Sequence, residues 1–288
     1  GPAGAGLLHG LKVVAVAVVA QAVWGMARTL TPDRERASIA LAAVLIVIFA
    51  AGSIGQIAAI VAGGVAGLWL CKGGTVPTGG HLRFRVSKSV GVAALALFFV
   101  LLVMLPILAG TSQGVALFDS FFRAGSLVFG GGHVVLPLLQ AEVVPSGWVG
   151  DNAFLAGYGA AQAVPGPLFT FAAYLGTVMG PQPNGVAGAA IALVAIFLPG
   201  FLLLIGALPF WDVFRMRPVA QAAMRGANAA VVGILGAALY SPVWTSAVLA
   251  PRDFALALAG FLLLTVWKTP PWIVVVLLAA TATALSLI

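Results

Sequence analysis

Two motifs built from glycine and proline interrupt a strongly apolar stretch of this chain, residues 126–180. They are Phe129-Gly130-Gly131-Gly132-His133 and Val164-Pro165-Gly166-Pro167. Consecutive glycines leave backbone N–H groups uncovered and let a ligand approach them closely, and proline is favoured in the first turn of a helix. Helices that begin at the two motifs would direct their positive N-terminal ends toward one point, where they would bind an anion. The alternative is that both motifs are packing kinks in ordinary helices.

Polar side chains beside the motifs would supply further hydrogen bonds to an anion. His133 follows the glycines directly and could donate to an oxyanion or exchange a proton near neutral pH, with a purely structural histidine as the alternative. Gln162 and Thr170 flank the second motif at about one helical turn on either side, and both are neutral donors. The predicted substrate-binding residues are Phe129, Gly130, Gly131, Gly132, His133, Gln162, Pro165, Gly166, Pro167 and Thr170.

Two charged residues near this stretch are candidates for steering or energy coupling. Arg123 either attracts an anion or pairs with Asp119, which precedes it by four residues on the same helical face. Glu142 is one of few acids predicted near membrane depth, where it would carry a coupling proton. The alternative for Glu142 is a place at a helix end among lipid head groups.

Enzymatic and metal-binding patterns are not found in the sequence. It contains no H-E-x-x-H, G-x-S-x-G or Walker motif, so a zinc protease, a serine hydrolase and an ATP-driven pump are not indicated. The lone Cys71 excludes an intramolecular disulfide and a thiolate-rich metal cluster. We therefore predict no catalytic residue, no cofactor and no metal site. A membrane enzyme acting on lipid head groups would need clustered acids, whereas the acids are scattered: Asp119, Glu142, Asp151, Asp212 and Asp253.

Composition places the chain in a membrane. It is 62% hydrophobic and 7% charged over 288 residues, whereas soluble domains carry about 25% charged residues. The net charge of +7 is not accompanied by a basic face with interleaved aromatic residues, so nucleic acid is not expected as a partner. The predicted fold is all-α, a polytopic transmembrane helical bundle with broken or re-entrant helices. The sequence leaves open whether the chain forms a homo-oligomer.

Apolar runs and their breaks predict the helices. Single spanning helices are expected at residues 7–27, 91–108, 186–208 and 219–240. Pairs of shorter helices are expected at residues 37–71 and 254–288, an amphipathic helix at 113–125, and a basic linker at 72–89.

The first seventy residues resemble the last seventy in the order of their breaks and helices. His9-Gly10 aligns with Arg225-Gly226, and each copy ends in a pair of short helices. Because basic loops mark the cytoplasmic side, the loops at residues 28–36 and 72–89 place the first helix running inward. Arg215, Arg217 and Arg225 likewise place residues 219–240 running outward. The copies are therefore predicted to be inverted, as in secondary transporters. The charges also require an even number of crossings between residues 110 and 185, met either by two spanning helices or by two re-entrant hairpins.

The two motifs and their surroundings resemble the signature of the bacterial chromate ion transporter family. The resemblance runs nearly unbroken over FGGGHVVLPLL, residues 129–139, and GYGAAQAVPGPLFTFAAYLG, residues 157–176. It implies a tandem of two homologous halves of opposite topology in the bacterial inner membrane. It also implies efflux of chromate and resistance to that oxyanion. Because the sequence has no Walker motif, an ion gradient would have to supply the energy. A carrier of sulfate or another anion is the alternative within transport.

The resemblance covers the two halves of such a tandem unevenly. Residues 1–71 are expected to be the last three helices of a first repeat, residues 72–89 the linker, and residues 90–288 a complete second repeat. The glycine-rich and Pro-Gly-Pro elements of a first repeat are not found in residues 1–71, so the chain is expected to be part of a longer protein.

Overall fold

The computed structural model describes residues 2–50, 52–72, 86–128, 132–164, 167–211 and 216–287. Over these residues the secondary structure is helical with no strand, which confirms the predicted all-α class. The main helices are α1 (Pro2–Leu30), α2 (Arg34–Phe49), α3 (Ser53–Leu70), α4 (Lys88–Leu108), α5 (Gln113–Ser126), α6 (Val135–Val143), α7 (Asp151–Ala161), α8 (Pro167–Val178), α9 (Gly185–Ala207), α10 (Pro218–Ala238), α11 (Pro251–Thr265) and α12 (Pro271–Leu285).

Five helical segments in the described residues are long and apolar enough to cross a membrane. They are Ala3–Leu30, Ser53–Leu70, Lys88–Thr111, Gly185–Phe210 and Pro218–Ala247. A helix needs about 20 apolar residues to cross the hydrocarbon core. The chain is therefore a multi-pass membrane protein, as its composition predicts.

One side of the protein, here called the basic face, gathers cationic side chains. Helices α4 and α9 run antiparallel, because Gly91 near the start of α4 packs beside Pro209, just after the end of α9. Arg225 in α10 donates to the carbonyl oxygen of Cys71 at 2.7 Å, so the end of α3 lies at this face as well. The described cations at the basic face are Arg28, Arg34, Arg36, Lys72, Lys88, Arg217 and Arg225.

Helix α2 begins directly after Asp33 at the basic face. The Asp33 carboxylate caps α2 by accepting hydrogen bonds from the backbone N–H of Arg36 at 2.9 Å and from its Nε at 2.7 Å. These bonds from Arg36 hold the pKa of the Asp33 carboxyl below its usual value. An acid at this position also stabilises the positive N-terminal end of the helix.

Four short helices, α5 to α8, lie between α4 and α9 and are too short to cross. They contain 14, 9, 11 and 12 residues, so even the longest of them extends only about 21 Å at 1.5 Å per residue. A bilayer core is about 30 Å thick. Each of the four helices therefore reaches only part of the way through the membrane. The side where α4 ends and α9 begins is here called the hairpin face.

Helices α5 and α6 form the first re-entrant hairpin. Gly114 at the start of α5 lies beside Pro183, just before α9, whereas Gly125 at its end packs on the carbonyl oxygen of Ile196 in the middle of α9. After α6, the carbonyl of Trp148 accepts a hydrogen bond from the N–H of Gly180 at 3.0 Å, again beside the start of α9. The chain thus enters from the hairpin face along α5 and returns to that face along α6.

Helices α7 and α8 form a second re-entrant hairpin from the same face. The ring of Phe169, in the first turn of α8, stacks on Phe197 in the middle of α9, with 4.2 Å between the ring centroids. Gly176, near the end of α8, packs on the backbone of Gly188 in the first turn of α9. Helix α8 therefore runs from mid-membrane back to the hairpin face. Of the two arrangements that the sequence left open, the structure has the re-entrant hairpins.

Each end of the chain packs one long helix against a pair of helices from the other end. Helix α1 packs on the pair α11–α12, where Nε2 of His9 lies 2.9 Å from Oδ1 of Asp253 and Gly10 contacts Ala279. Helix α10 packs on the pair α2–α3, where Gly226 contacts Gly67. The pair α11–α12 begins at the hairpin face and the pair α2–α3 at the basic face. The division into inverted repeats stays a prediction, and this reciprocal packing supports it.

We expect the contact between α3 and α10 to be sensitive to a single methyl group. A Cβ on Gly67 would lie 2.9 Å from the Cα of Gly226, so Gly67→Ala should force the helices apart and cost about 1–3 kcal/mol of stability. At Gly64 the nearest atom would be 3.7 Å away, so Gly64→Ala should be neutral or slightly stabilising. Heating in detergent followed by size-exclusion chromatography measures both midpoints. Equal midpoints would contradict the packing described for α3 and α10.

Candidate functional site

The inner ends of the two re-entrant hairpins meet at a hydrogen bond between His133 and Tyr158. His133 lies in a single 3₁₀ turn, Gly132–Val134, which leads into α6. Tyr158 lies in the last turns of α7 and is fully buried. Nδ1 of His133 is 3.0 Å from the Tyr158 hydroxyl oxygen. His133 of the first motif therefore contacts α7, the helix that precedes the second motif, although the two bonded residues are 25 positions apart in sequence.

A neutral donor and an aromatic ring contact Tyr158 in addition to His133. Gln162 directly follows α7, is buried, and donates from Nε2 to the carbonyl oxygen of Tyr158 at 3.3 Å. The Tyr158 ring packs edge-on against Phe171 of α8, with 5.4 Å between the ring centroids. The aromatic contact packs the ring, the imidazole of His133 lies beside the hydroxyl group, and the amide of Gln162 is bonded to the backbone of the same residue. Such a site can hold a ligand by hydrogen bonds without a buried cation.

Two helices begin at this depth with their N-termini inside the bundle. Helix α6 follows the 3₁₀ turn, and α8 begins at Pro167. The first N–H groups of a helix lack partners within the helix, and the helix dipole makes that end positive. Pro167 occupies the first helical position, as the sequence predicts. Both N-termini therefore contribute a positive potential near mid-membrane.

The structure describes half of the predicted binding residues. Gly132 and His133 lie in the 3₁₀ turn, Gln162 follows α7, and Pro167 and Thr170 lie in the first turn of α8, where the Thr170 side chain is exposed. The other predicted residues lie outside the described part of the chain: Phe129, Gly130, Gly131, Pro165 and Gly166. The assignment of all ten to substrate binding stays a prediction.

Sequence reasoning missed Tyr158 as a partner of His133. Tyr158 is flanked by Gly157 and Gly159, and these glycines provided a signal. A Cβ on Gly157 would collide with the ring of Tyr174, and a Cβ on Gly159 would collide with the carbonyl oxygen of Leu11. The glycines let α7 lie against both α8 and α1. A tyrosine between two glycines in an apolar helix indicates that the helix is closely packed on both sides and that the tyrosine side chain is buried.

Arg123 lies between two carboxylates rather than open to a ligand. Its Nη2 is 2.9 Å from Oδ2 of Asp119 and 2.8 Å from Oε2 of Glu142, and its Nε donates to Asp119 at 3.1 Å. The predicted pair with Asp119 is present, and Glu142 in the last turn of α6 adds a second anion. This cluster connects the two helices of the first hairpin one turn from the end of α5.

Helix α3 is attached to the first hairpin through two polar side chains. The hydroxyl of Ser53, the first residue of α3, donates to Oε1 of Glu142 at 2.6 Å. Nε2 of Gln56 donates to the carbonyl oxygen of Pro137 in α6 at 3.0 Å. A crevice of about 790 Å³ lies beside these contacts, between the α2–α3 turn, α6 and the end of α10. The pair α2–α3 therefore supports the hairpin whose inner end carries His133.

These features define a class of membrane protein in which half-membrane helices meet inside a bundle of longer ones. Secondary transporters place their binding sites at interrupted helices of this kind. Residues 115–284 match the family model described as Chromate transporter, and the chain belongs to this family. The match includes α5 to α12, and with them both re-entrant hairpins.

Several curated proteins are similar to the chain over part of their length. A chromate transport protein of Pseudomonas aeruginosa is 32% identical over 182 residues, which cover 60% of this chain and 42% of that protein. A chromate transport protein of Cupriavidus metallidurans is 31% identical over 120 residues, or 41% of this chain and 29% of that protein. An uncharacterized transporter of Bacillus subtilis, YwrA, is 39% identical over 107 residues, or 36% of this chain and 58% of that protein. The chain thus spans less than two thirds of each. No solved structure matches it.

We expect a short thiol cross-linker to join α3 to α6. In a Cys71→Ala background, the pair Ser53→Cys and Glu142→Cys places both thiols where the Ser53–Glu142 hydrogen bond now lies. The cross-linked chain should migrate faster on a denaturing gel than the untreated one. The matched control pairs Ser53→Cys with Ser87→Cys, which lies before α4 at the basic face. Equal cross-linking of both pairs would be incompatible with the described contact.

Proposed function

We propose that this protein transports chromate across the bacterial inner membrane by binding the oxyanion at the inner ends of its two re-entrant hairpins. The contact between His133 and Tyr158 carries the proposal, because it brings the two hairpins together inside a chain of the chromate transporter family. The similar proteins of Pseudomonas aeruginosa and Cupriavidus metallidurans bear the name chromate transport protein.

The proposed site binds a tetrahedral dianion through backbone and neutral side-chain donors. The N-termini of α6 and α8 supply N–H groups and positive potential. His133, Gln162 and Thr170 supply side-chain donors, and the predicted binding residues Gly130, Gly131 and Gly166, which lie outside the described part of the chain, are proposed to add backbone N–H groups. Neutral donors suit transport, because their hydrogen bonds to an anion are weaker than those of cationic groups, which favours release on the other side. No cofactor or metal takes part in this proposal.

The proposed orientation places the basic face in the cytoplasm and the hairpin face outside. Cytoplasmic loops collect Lys and Arg, and the basic face carries Arg28, Arg34, Arg36 and Lys88. In this orientation both hairpins enter from the periplasmic side. Chromate is carried outward and an ion gradient supplies the energy, which would make the cell resistant to chromate.

The proposed organisation is that of inverted repeats, with residues 1–71 from a first repeat and residues 90–288 as the second. The reciprocal packing of α1 on α11–α12 and of α10 on α2–α3 supports it. Gly10 and Gly226, which align in sequence, each contact the second helix of a hairpin from the other end of the chain.

A membrane enzyme is disfavoured by the positions of the described acids. Asp119 and Glu142 are engaged by Arg123, and Asp253 accepts from His9 and from the backbone N–H of Ala250. A hydrolytic site needs an acid or nucleophile that can reach a substrate, whereas each of these three carboxylates accepts a hydrogen bond from a basic side chain. Family membership also indicates a transporter rather than an enzyme.

We expect Tyr158→Phe to weaken chromate transport about tenfold, because loss of one hydrogen bond in a binding site costs about 1.4 kcal/mol. The matched control is Tyr174→Phe, which removes a hydroxyl bonded to the carbonyl oxygen of Ala153, away from His133. Uptake of radiolabelled chromate into inverted vesicles containing the protein measures both variants. Equal uptake by the two would reject the proposed site.

The same assay separates chromate from other anions. An excess of unlabelled sulfate tests the alternative, because sulfate has the same shape and charge as chromate. Weak competition by sulfate indicates a chromate-selective carrier, and competition as strong as that of unlabelled chromate indicates a general carrier of tetrahedral oxyanions. If the protein takes up no chromate while a sulfate uptake is measured, the substrate proposed here is wrong.

A further inference from the structure

The cluster of Asp119, Arg123 and Glu142 holds two carboxylates against one guanidinium. With both acids ionised its net charge is −1, and the Asp119 residue is only 3% exposed. An uncompensated charge in such a place is costly, because burial removes the water that would stabilise it. One bound proton makes the cluster neutral. Burial therefore favours binding of one proton by the cluster, because one proton removes its net negative charge.

The hydrogen bonds of the cluster show which oxygen is available for that proton. Glu142 uses both oxygens, accepting from Ser53 at Oε1 and from Arg123 at Oε2. Asp119 uses only Oδ2, toward Arg123. Its Oδ1 is buried and has no hydrogen-bond partner among the described residues. An unpartnered buried carboxylate oxygen is unfavourable, and protonation removes the negative charge from it.

No other titratable group of the neighbouring helices competes for this role in the described part of the chain. Helix α9, which packs along α5, contains no ionisable residue, and α4 contains only Lys88 at the far basic face. On the α6 side, Glu142 faces the cluster, while His133 precedes that helix and contacts Tyr158. The charges that Asp119 meets are those of Arg123 and Glu142.

We propose that Asp119 is the proton-binding residue that couples transport to the proton gradient. The inference depends on the transport function proposed above. A hydronium ion at the hairpin face transfers its proton to Oδ1 of Asp119 and leaves a water molecule, and the cluster changes from −1 to neutral. On release, the new O–H bond breaks and a water molecule accepts the proton. Proton binding weakens the attraction between Asp119 and Arg123, which leaves Arg123 held by Glu142 alone.

The position of Arg123 links protonation of Asp119 to the proposed substrate site. Arg123 lies in the last turn of α5, next to the chain that leads to the glycine motif, and Glu142 is bonded to Ser53 at the start of α3. A shift of Arg123 from two carboxylates to one alters the tie between α5 and α6. The hairpin that carries His133 is thereby linked to the state of Asp119.

Two assays in proteoliposomes separate the coupling from the transport itself. Exchange of labelled for unlabelled chromate without a pH gradient tests the proposed function. Chromate uptake driven by an imposed pH gradient, with a fluorescent pH indicator, tests the coupling. Asp119→Asn should retain exchange and lose at least tenfold of gradient-driven uptake, because the amide cannot take up the proton. Asp151→Asn, at the exposed start of α7, should match the unmodified protein in both assays.

Glu142→Gln gives the direction of the effect. Removing this negative neighbour favours the ionised form of Asp119, so the pH midpoint of gradient-driven uptake should move to lower pH. Complete loss of coupling in Glu142→Gln with normal coupling in Asp119→Asn would assign the proton to Glu142 and overturn the proposal. An unshifted midpoint in Glu142→Gln would also overturn it, and this arm decides if Asp119→Asn does not fold. Absence of exchange in the unmodified protein would refute the transport function instead.

Discussion

Backbone hydrogen bonding in a medium without water is the constraint on which this structure depends. A helix that stops at mid-membrane leaves N–H or C=O groups unpaired, and lipid cannot pair them. Four helices end in this way, and longer helices pack along them: α9 lies along α5 and α8, and α1 lies along α7. The longer helices therefore do more than cross the membrane, because they cover part of the surface of the short ones.

Glycine residues allow the long and short helices to approach each other closely. Gly125 and Gly176 each bring a short helix onto the backbone of α9, and Gly159 brings α7 onto α1. In a membrane, helices gain little from apolar burial and associate through close van der Waals contact. The same device holds α10 on α3 through Gly226. Small residues thus let the helices pack closely around the inner ends of the hairpins, where the polar side chains His133, Tyr158 and Gln162 lie.

Sequence patterns predicted the helices and the two motifs, because long apolar runs, glycines and prolines act locally. They left open whether residues 110–185 cross the membrane. The distribution of Lys and Arg indicates on which side of the membrane a loop lies, but it does not indicate how deeply the helices between two loops enter the membrane. They also missed Tyr158, because its partner His133 is 25 residues away and only tertiary packing joins them. The pairing of Arg123 with Asp119 followed from helical spacing, whereas the addition of Glu142 required the antiparallel hairpin. The sequence predicts contacts between residues four positions apart on one helix, but it does not predict contacts between the two helices of a hairpin.

The depth of the hairpin ends gives the proposed site an electrical position. The ring of Phe169 at the start of α8 lies beside Phe197 in the middle of α9, so an ion bound at these ends would sit about halfway across the membrane. Moving one charge across the full membrane potential involves about 2.3 kcal/mol per 100 mV. A divalent anion travelling half that distance would therefore exchange about the same energy with the field. Occupancy of the site by such an ion would depend on voltage as well as on concentration.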